Sequence, residues 1–200
     1  MSLIAAINRC VFLDRDGVLN KAIVRNGKPY PPATVEEFSL YPDVPEGCAR
    51  LKEAGFLLIV VTNQPDVGRG TQSRESIETM HAALRAALPS LDGIEVCYHA
   101  GSRHGELCDC RKPRPGMLLR AAAQHDIDLK RSFLIGDRWR DVDCAHAAGC
   151  RAVFIDHGYR ERLREKPDII VSNFREAVQA VLIAATKSEA SSPPSHSKSL

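Results

Sequence analysis

A doubly wound α/β domain with a mainly parallel sheet is predicted by two observations. Short apolar runs alternate with helical stretches, and polar or acidic residues recur just after those runs. In folds of this class ligands bind outside the carboxyl ends of the strands, so the residues that follow each strand are the first candidates for a site. The first strand is read over 9–13, followed by a helix over 45–54 that Gly55 stops and a strand over 56–61. A helix over 74–88 leads to a strand over 93–98, and a helix over 116–125 leads to a strand over 132–135. A helix over 141–148, strands over 152–155 and 169–171, and a helix over 174–185 complete the order. Two stretches interrupt it, 20–42, rich in Pro and Gly, and 100–115. Both are long enough to be functional loops. From residue 187 the chain is Ser/Pro-rich and almost free of apolar residues, so a single domain over 1–186 and a disordered tail over 187–200 are expected. No internal repeat is present.

At 200 residues, 44% hydrophobic and 26% charged, the chain can bury a core without staples. A formal charge of +2 is too small to imply a nucleic-acid or acidic-membrane partner, so any preference for anions must be local. The longest apolar run, 56–61, is far short of the roughly 20 residues of a membrane span. The first ten residues lack the pattern of a secretory signal, and the cytoplasm is the expected compartment. Of seven cysteines, Cys10, Cys48, Cys144 and Cys150 lie in or beside apolar or Ala-rich segments and read as small buried hydrophobes. Cys97, Cys108 and Cys110 cluster beside His99, which reads as metal ligation rather than a disulfide framework.

The first strand runs into Phe12-Leu13-Asp14-Arg15-Asp16-Gly17, two carboxylates one residue apart at a strand end. Acids that close repel one another unless a cation or a shared proton relieves them, and a divalent cation with a phosphate would explain the arrangement. A polar strand-to-loop turn is the other reading. The second strand ends in Thr62-Asn63-Gln64, which a helix cap also explains, and the fourth in Gly136-Asp137 followed by Asp141, which can equally be an N-cap and a first-turn acid. Their repetition along one sheet edge favours an oxygen-only magnesium shell beside a phosphate site. Cys97, His99, Cys108 and Cys110 form the ligand set of a closed tetrahedral zinc site, with free thiols as the alternative. His104 could replace one ligand or lie solvated in the loop. His81, His125, His146 and His157 have no partner pattern.

Over residues 9–156 the motifs FLDRDGVLN, VVTNQ, CDCRKPRPGM and IGDRWRD resemble the four ordered motifs of the haloacid dehalogenase superfamily. More narrowly, the Cys/His loop and the CRKP run resemble D-glycero-D-manno-heptose 1,7-bisphosphate phosphatases and their histidinol-phosphatase relatives. The resemblance implies a magnesium-dependent phosphatase with Asp14 as nucleophile and Asp16 as acid and then base. It implies magnesium on the Asp14 and Asp137 carboxylates and the Asp16 carbonyl, with Asp141 behind them. Thr62 and Lys112 would hold the transferring phosphoryl group, Asn63 would border the substrate, and Arg111 would grip a second anion. From the residues alone, Lys112 also reads as a surface lysine. No gap has room for a large cap domain, so 21–42 is expected to form a small flap and the zinc loop one wall of the cleft.

Three positions depart from the heptose pattern. Pro65-Asp66 stands where a Ser-Gly pair is usual, Arg138-Trp139-Arg140 follows Asp137, and the flap 25–32 lacks the usual tyrosine-containing motif. The expected substrate is a small phosphorylated metabolite, a sugar bisphosphate ahead of histidinol phosphate or another sugar phosphate. A nucleic-acid 3′-phosphatase would need a longer basic track than Arg111, Lys112, Arg114, Arg138 and Arg140 supply. A zinc-stabilised binding module without turnover would not need Asp14, Asp16, Lys112 and Asp137 together. A monomer is expected.

Overall fold

The computed structural model describes residues 7–105 and 107–190. Six strands form one sheet in the order β5-β4-β1-β6-β7-β8, with every neighbouring pair parallel. They are β1 Arg9–Leu13, β4 Phe56–Asn63, β5 Gly93–Cys97, β6 Phe133–Gly136, β7 Arg151–Ile155 and β8 Ile169–Val171. The remaining strands, β2 Ile23–Arg25 and β3 Lys28–Tyr30, pair as an antiparallel hairpin within the predicted flap. The helices are α1 Val44–Glu53, α2 Pro65–Gly68, α3 Arg74–Ala87, α4 Gly116–Gln124, α5 Trp139–Ala148 and α6 Phe174–Ala190.

Strands covered on both faces need apolar residues at successive positions, which is why β1 and β4 read as unbroken hydrophobic runs. In β1, Val11 and Leu13 face a core completed by Val44, Cys48 and Leu51 of α1 and by Phe174, Val178 and Val181 of α6. Cys10 and Phe12 face the opposite layer, made by Met117, Leu118 and Ala121 of α4 and by Val142, Cys144 and Ala145 of α5. The four cysteines read as small hydrophobes are all buried. Gly55, at φ +83°, ends α1 as its position suggests.

α6 runs past the predicted end at 185 to Ala190, so residues 187–190 are helical rather than part of a tail. Ala, Lys and Glu near that end favour helix, and this outweighs the polarity on which the tail was read. The rest of the predicted tail lies outside the described residues. No helix among the described residues is long and apolar enough to cross a membrane.

The chain passes from β1 to β4 on one side and later returns to β6 on the other, so the order of winding reverses at β1. The crevice at that switch point lies beyond the carboxyl ends of β1, β4 and β6. Asp14, Asn63 and Asp137 stand there.

Candidate active site

Asp14 leaves β1 with its backbone N–H bonded to the Ile135 carbonyl at 2.9 Å, which ties it to the neighbouring strand. Its Oδ1 accepts from the Arg15 backbone N–H at 2.7 Å and lies 2.9 Å from Nζ of Lys112. The same ammonium lies 2.6 Å from Oδ1 of Asp141, so one buried lysine bridges acids from β1 and α5. The surface-lysine reading of Lys112 is excluded. Burial alone would lower its pKa, but Asp14 and then Asp141 raise it, and the ammonium stays charged. Burial raises the Asp14 carboxyl to about 6 against the pull of Lys112, with Asp141 adding to the rise.

Ligand oxygens of Asp14, Asp137 and Asp141 lie within 4.8 Å of one another, all three residues buried. Neither carboxylate oxygen of Asp137 has a hydrogen-bond partner, and burial followed by the charges of Asp14 and Asp141 pushes its pKa well up. Three buried acids against one lysine leave excess negative charge that a hard divalent cation fits. The backbone makes room for this group at Gly17. With φ at +93°, a Cβ there would stand 1.9 Å from Oδ2 of Asp137. Asp141 also accepts from the Arg138 backbone N–H at 3.0 Å, so it caps α5 while it faces Lys112.

Asp16 is held by side chains that sequence reasoning missed. Arg15 grips it with two nitrogens, at 3.1 and 2.9 Å, and Asn20 and Gln64 donate to it at 3.0 and 2.8 Å. Arg15 is fully buried, and its third nitrogen lies 3.2 Å from Nε2 of His81 on α3. Gln64 also donates to the Thr62 hydroxyl at 2.8 Å, which leaves the hydroxyl hydrogen of Thr62 free to point elsewhere. The Asn63 amide exchanges two bonds of 3.1 Å with the backbone of Lys112. Asn63 therefore borders the cleft while its amide fixes the loop that carries Lys112.

In the second candidate centre, Sγ of Cys97 lies 3.7 Å from Sγ of Cys108 and 3.5 Å from Nδ1 of His99, with Cys110 3.1 Å from the same ring nitrogen. Zn–S bonds of about 2.3 Å in a tetrahedron give S···S edges of roughly 3.8 Å, so the spacing suits zinc. Burial, followed by the neighbouring Cys110, pushes the Cys97 thiol up, a cost that a bound cation reverses. His104 is not part of the cluster. Two other histidines are engaged elsewhere: His146 sits between Glu165 and Asp168, and His157 lies 2.8 Å from the Gly17 carbonyl and stacks on Tyr41.

A cleft of about 560 Å³ is bordered by Asp14, Asp16 and Lys112, by residues 27–31, and by Arg111, Arg138 and Arg140. The loop that carries the Cys/His cluster contributes Arg103 and Arg111 to its wall. That volume suits one metabolite. Its arginines suit anions.

Residues 109–177 match the HAD-hydrolase-like family model. A D-glycero-β-D-manno-heptose-1,7-bisphosphate 7-phosphatase of Pseudomonas putida is 37% identical over 163 residues, covering 79% of this chain and 88% of the relative. The chain belongs to this family of phosphatases. The D-glycero-D-manno-heptose-1,7-bisphosphate 7-phosphatase of Thermosynechococcus vestitus is 31% identical, covering 84% of this chain and 93% of its own. Among solved structures, the D,D-heptose 1,7-bisphosphate phosphatase of B. bronchiseptica, complexed with magnesium and phosphate, superposes with a TM-score of 0.73 at 26% identity. That match covers 88% of this chain and 99% of the other. As a phosphatase of this haloacid dehalogenase-like family, the chain carries the family's sheet with a hairpin flap above it.

Proposed function

We propose that this phosphatase removes the 7-phosphate of D-glycero-D-manno-heptose 1,7-bisphosphate through an aspartyl-phosphate on Asp14. The observation that carries the reading is the buried group of Asp14, Lys112 and Asp137, of which Asp14 and Lys112 border an arginine-lined cleft. Asp14 is held by its backbone and by Lys112, so its free oxygen can attack phosphorus without reorganising the site. Asp16 gives a proton to the departing sugar oxygen and then takes one from water. Four hydrogen bonds from Arg15, Asn20 and Gln64 fix the position of its carboxyl group beside Asp14. Lys112 and the Thr62 hydroxyl contact the phosphoryl oxygens as their charge redistributes.

Asp14, Asp137 and the Asp16 carbonyl would hold magnesium, which supplies positive charge beside the phosphoryl oxygens. Cys97, His99, Cys108 and Cys110 would hold zinc in a structural role, since four protein ligands leave no open position. Arg111 is the group we assign to the second phosphate. We place the protein in the cytoplasm, a reducing compartment that suits seven cysteines without a disulfide, and as a monomer.

The test is an initial-rate comparison, with magnesium, of heptose bisphosphate, histidinol phosphate and sugar monophosphates. The reading requires the heptose bisphosphate to have the highest kcat/KM. A higher value for histidinol phosphate would displace it.

A further inference from the structure

Among the described residues the Arg140 side chain forms no hydrogen bond or ion pair. It lies in the first turn of α5 and borders the cleft, and its Nε is buried without a hydrogen-bond partner. Two other arginines of the cleft are committed. Arg138 forms a two-point bond to Glu161 at 2.5 and 2.7 Å, and Arg69 pairs with Asp66 at 3.1 Å. Glu161 is close enough to feel the charge of Arg140, yet both its oxygens are held by Arg138.

The loop before α4 carries Arg111, which also borders the cleft, half-buried and bonded only weakly to the His99 carbonyl at 3.4 Å. Arg111 and Arg140 border the same cleft, so two guanidiniums of like charge share one cavity wall. Holding like charges together is unfavourable unless an anion is bound between them. A phosphate offers enough oxygens to satisfy two guanidinium forks at once.

We infer that Arg140, together with Arg111, forms a two-arginine clamp for a second phosphate on the same substrate molecule, which makes Arg140 a specificity-determining residue. The inference rests on the phosphatase reading above. It goes beyond it by assigning the remote group to a pair of side chains on two elements. Because α5 is anchored by the Arg138–Glu161 pair and its capping by Asp141, the clamp has a fixed position relative to Lys112 and Asp14. The distance between the two phosphates is then what the site selects.

Steady-state kinetics of Arg140→Gln on a sugar bisphosphate, on the monophosphate of the same sugar and on an aryl phosphate test this, with thermal melts to confirm the fold. The expected result is a roughly 10- to 100-fold fall in the ratio of bisphosphate to monophosphate kcat/KM, carried by KM. Arg140→Lys should recover part of the ratio. In a double variant with Arg111→Ala, the loss should be smaller than the product of the single losses, because one phosphate is gripped by both. An unchanged ratio, or fully multiplicative losses, would overturn the clamp. So would a wild-type enzyme that turns over bisphosphate no faster than monophosphate. In each of those cases aryl-phosphate turnover shows whether the phosphatase reading itself survives.

Discussion

Nζ of Lys112 lies 2.9 Å from Oδ1 of Asp14, a pair buried at the junction of two strand ends and the loop before α4. This contact makes the lysine both a neutraliser of the acidic cluster and a group aimed at whatever the aspartate attacks. Lys112→Ala should therefore lower kcat/KM on every phosphate substrate by roughly 10²- to 10³-fold. It should also cost about 3–5 kcal/mol of stability in metal-free protein, the usual penalty for stranding buried charges. Saturating magnesium should return part of that stability, since binding to the folded state shifts the equilibrium. Thermal melts with and without magnesium check this. A variant as stable as wild type without metal would contradict the charge balance described here.

Asp16→Ala should slow both formation and breakdown of the phosphorylated enzyme, by about 10²- to 10⁴-fold for loss of acid–base help. Single-turnover and steady-state rates measured side by side separate the two steps. Unimpaired formation with impaired breakdown would restrict Asp16 to activating water.

The cluster of Cys97, His99, Cys108 and Cys110 brings the end of β5 against the residues before α4, and zinc bound there would tie the two together. Purified protein should contain one zinc per chain by elemental analysis. Cys108→Ser should lower Tm clearly while the surviving folded fraction keeps most of its kcat. Zinc-free protein of undiminished Tm would remove the structural role.

Burial, then the charge of Arg15, lowers the pKa of His81 to about 4. Between the ordinary value of 6.5 and that figure the unfolded chain binds a proton that the folded chain does not. Stability from this group is therefore complete above pH 6.5 and is lost as pH falls towards 4, at up to about 1.4 kcal/mol per pH unit. His81→Gln, which keeps an acceptor near Arg15, should flatten the Tm curve over that window relative to wild type. Parallel curves would show that His81 does not carry this dependence.

Much of the sheet was legible because each strand is a local apolar run between recognisable breakers, as in 56–61 after Gly55. Asp14, Asp16 and Asp137 were legible because acids at successive strand ends are costly and so conspicuous. Arg15 was not. An arginine between two aspartates reads as part of a solvated turn, and its burial beneath Phe38 and His81 depends on segments far along the chain. Asn63 shows the same limit. The sequence places it at the cleft, but its exchange of bonds with the Lys112 backbone spans 49 positions. The β2–β3 hairpin was hidden by the Pro and Gly content of 20–42, and only its role as a flap could be read.

In the proposed mechanism Asp14 becomes phosphorylated. Wild-type enzyme mixed with substrate and magnesium, quenched in acid on the millisecond scale and reduced with borohydride, should yield homoserine at position 14, detectable by peptide mass spectrometry. Recovery of unmodified aspartate at that position, with homoserine at another, would contradict the account.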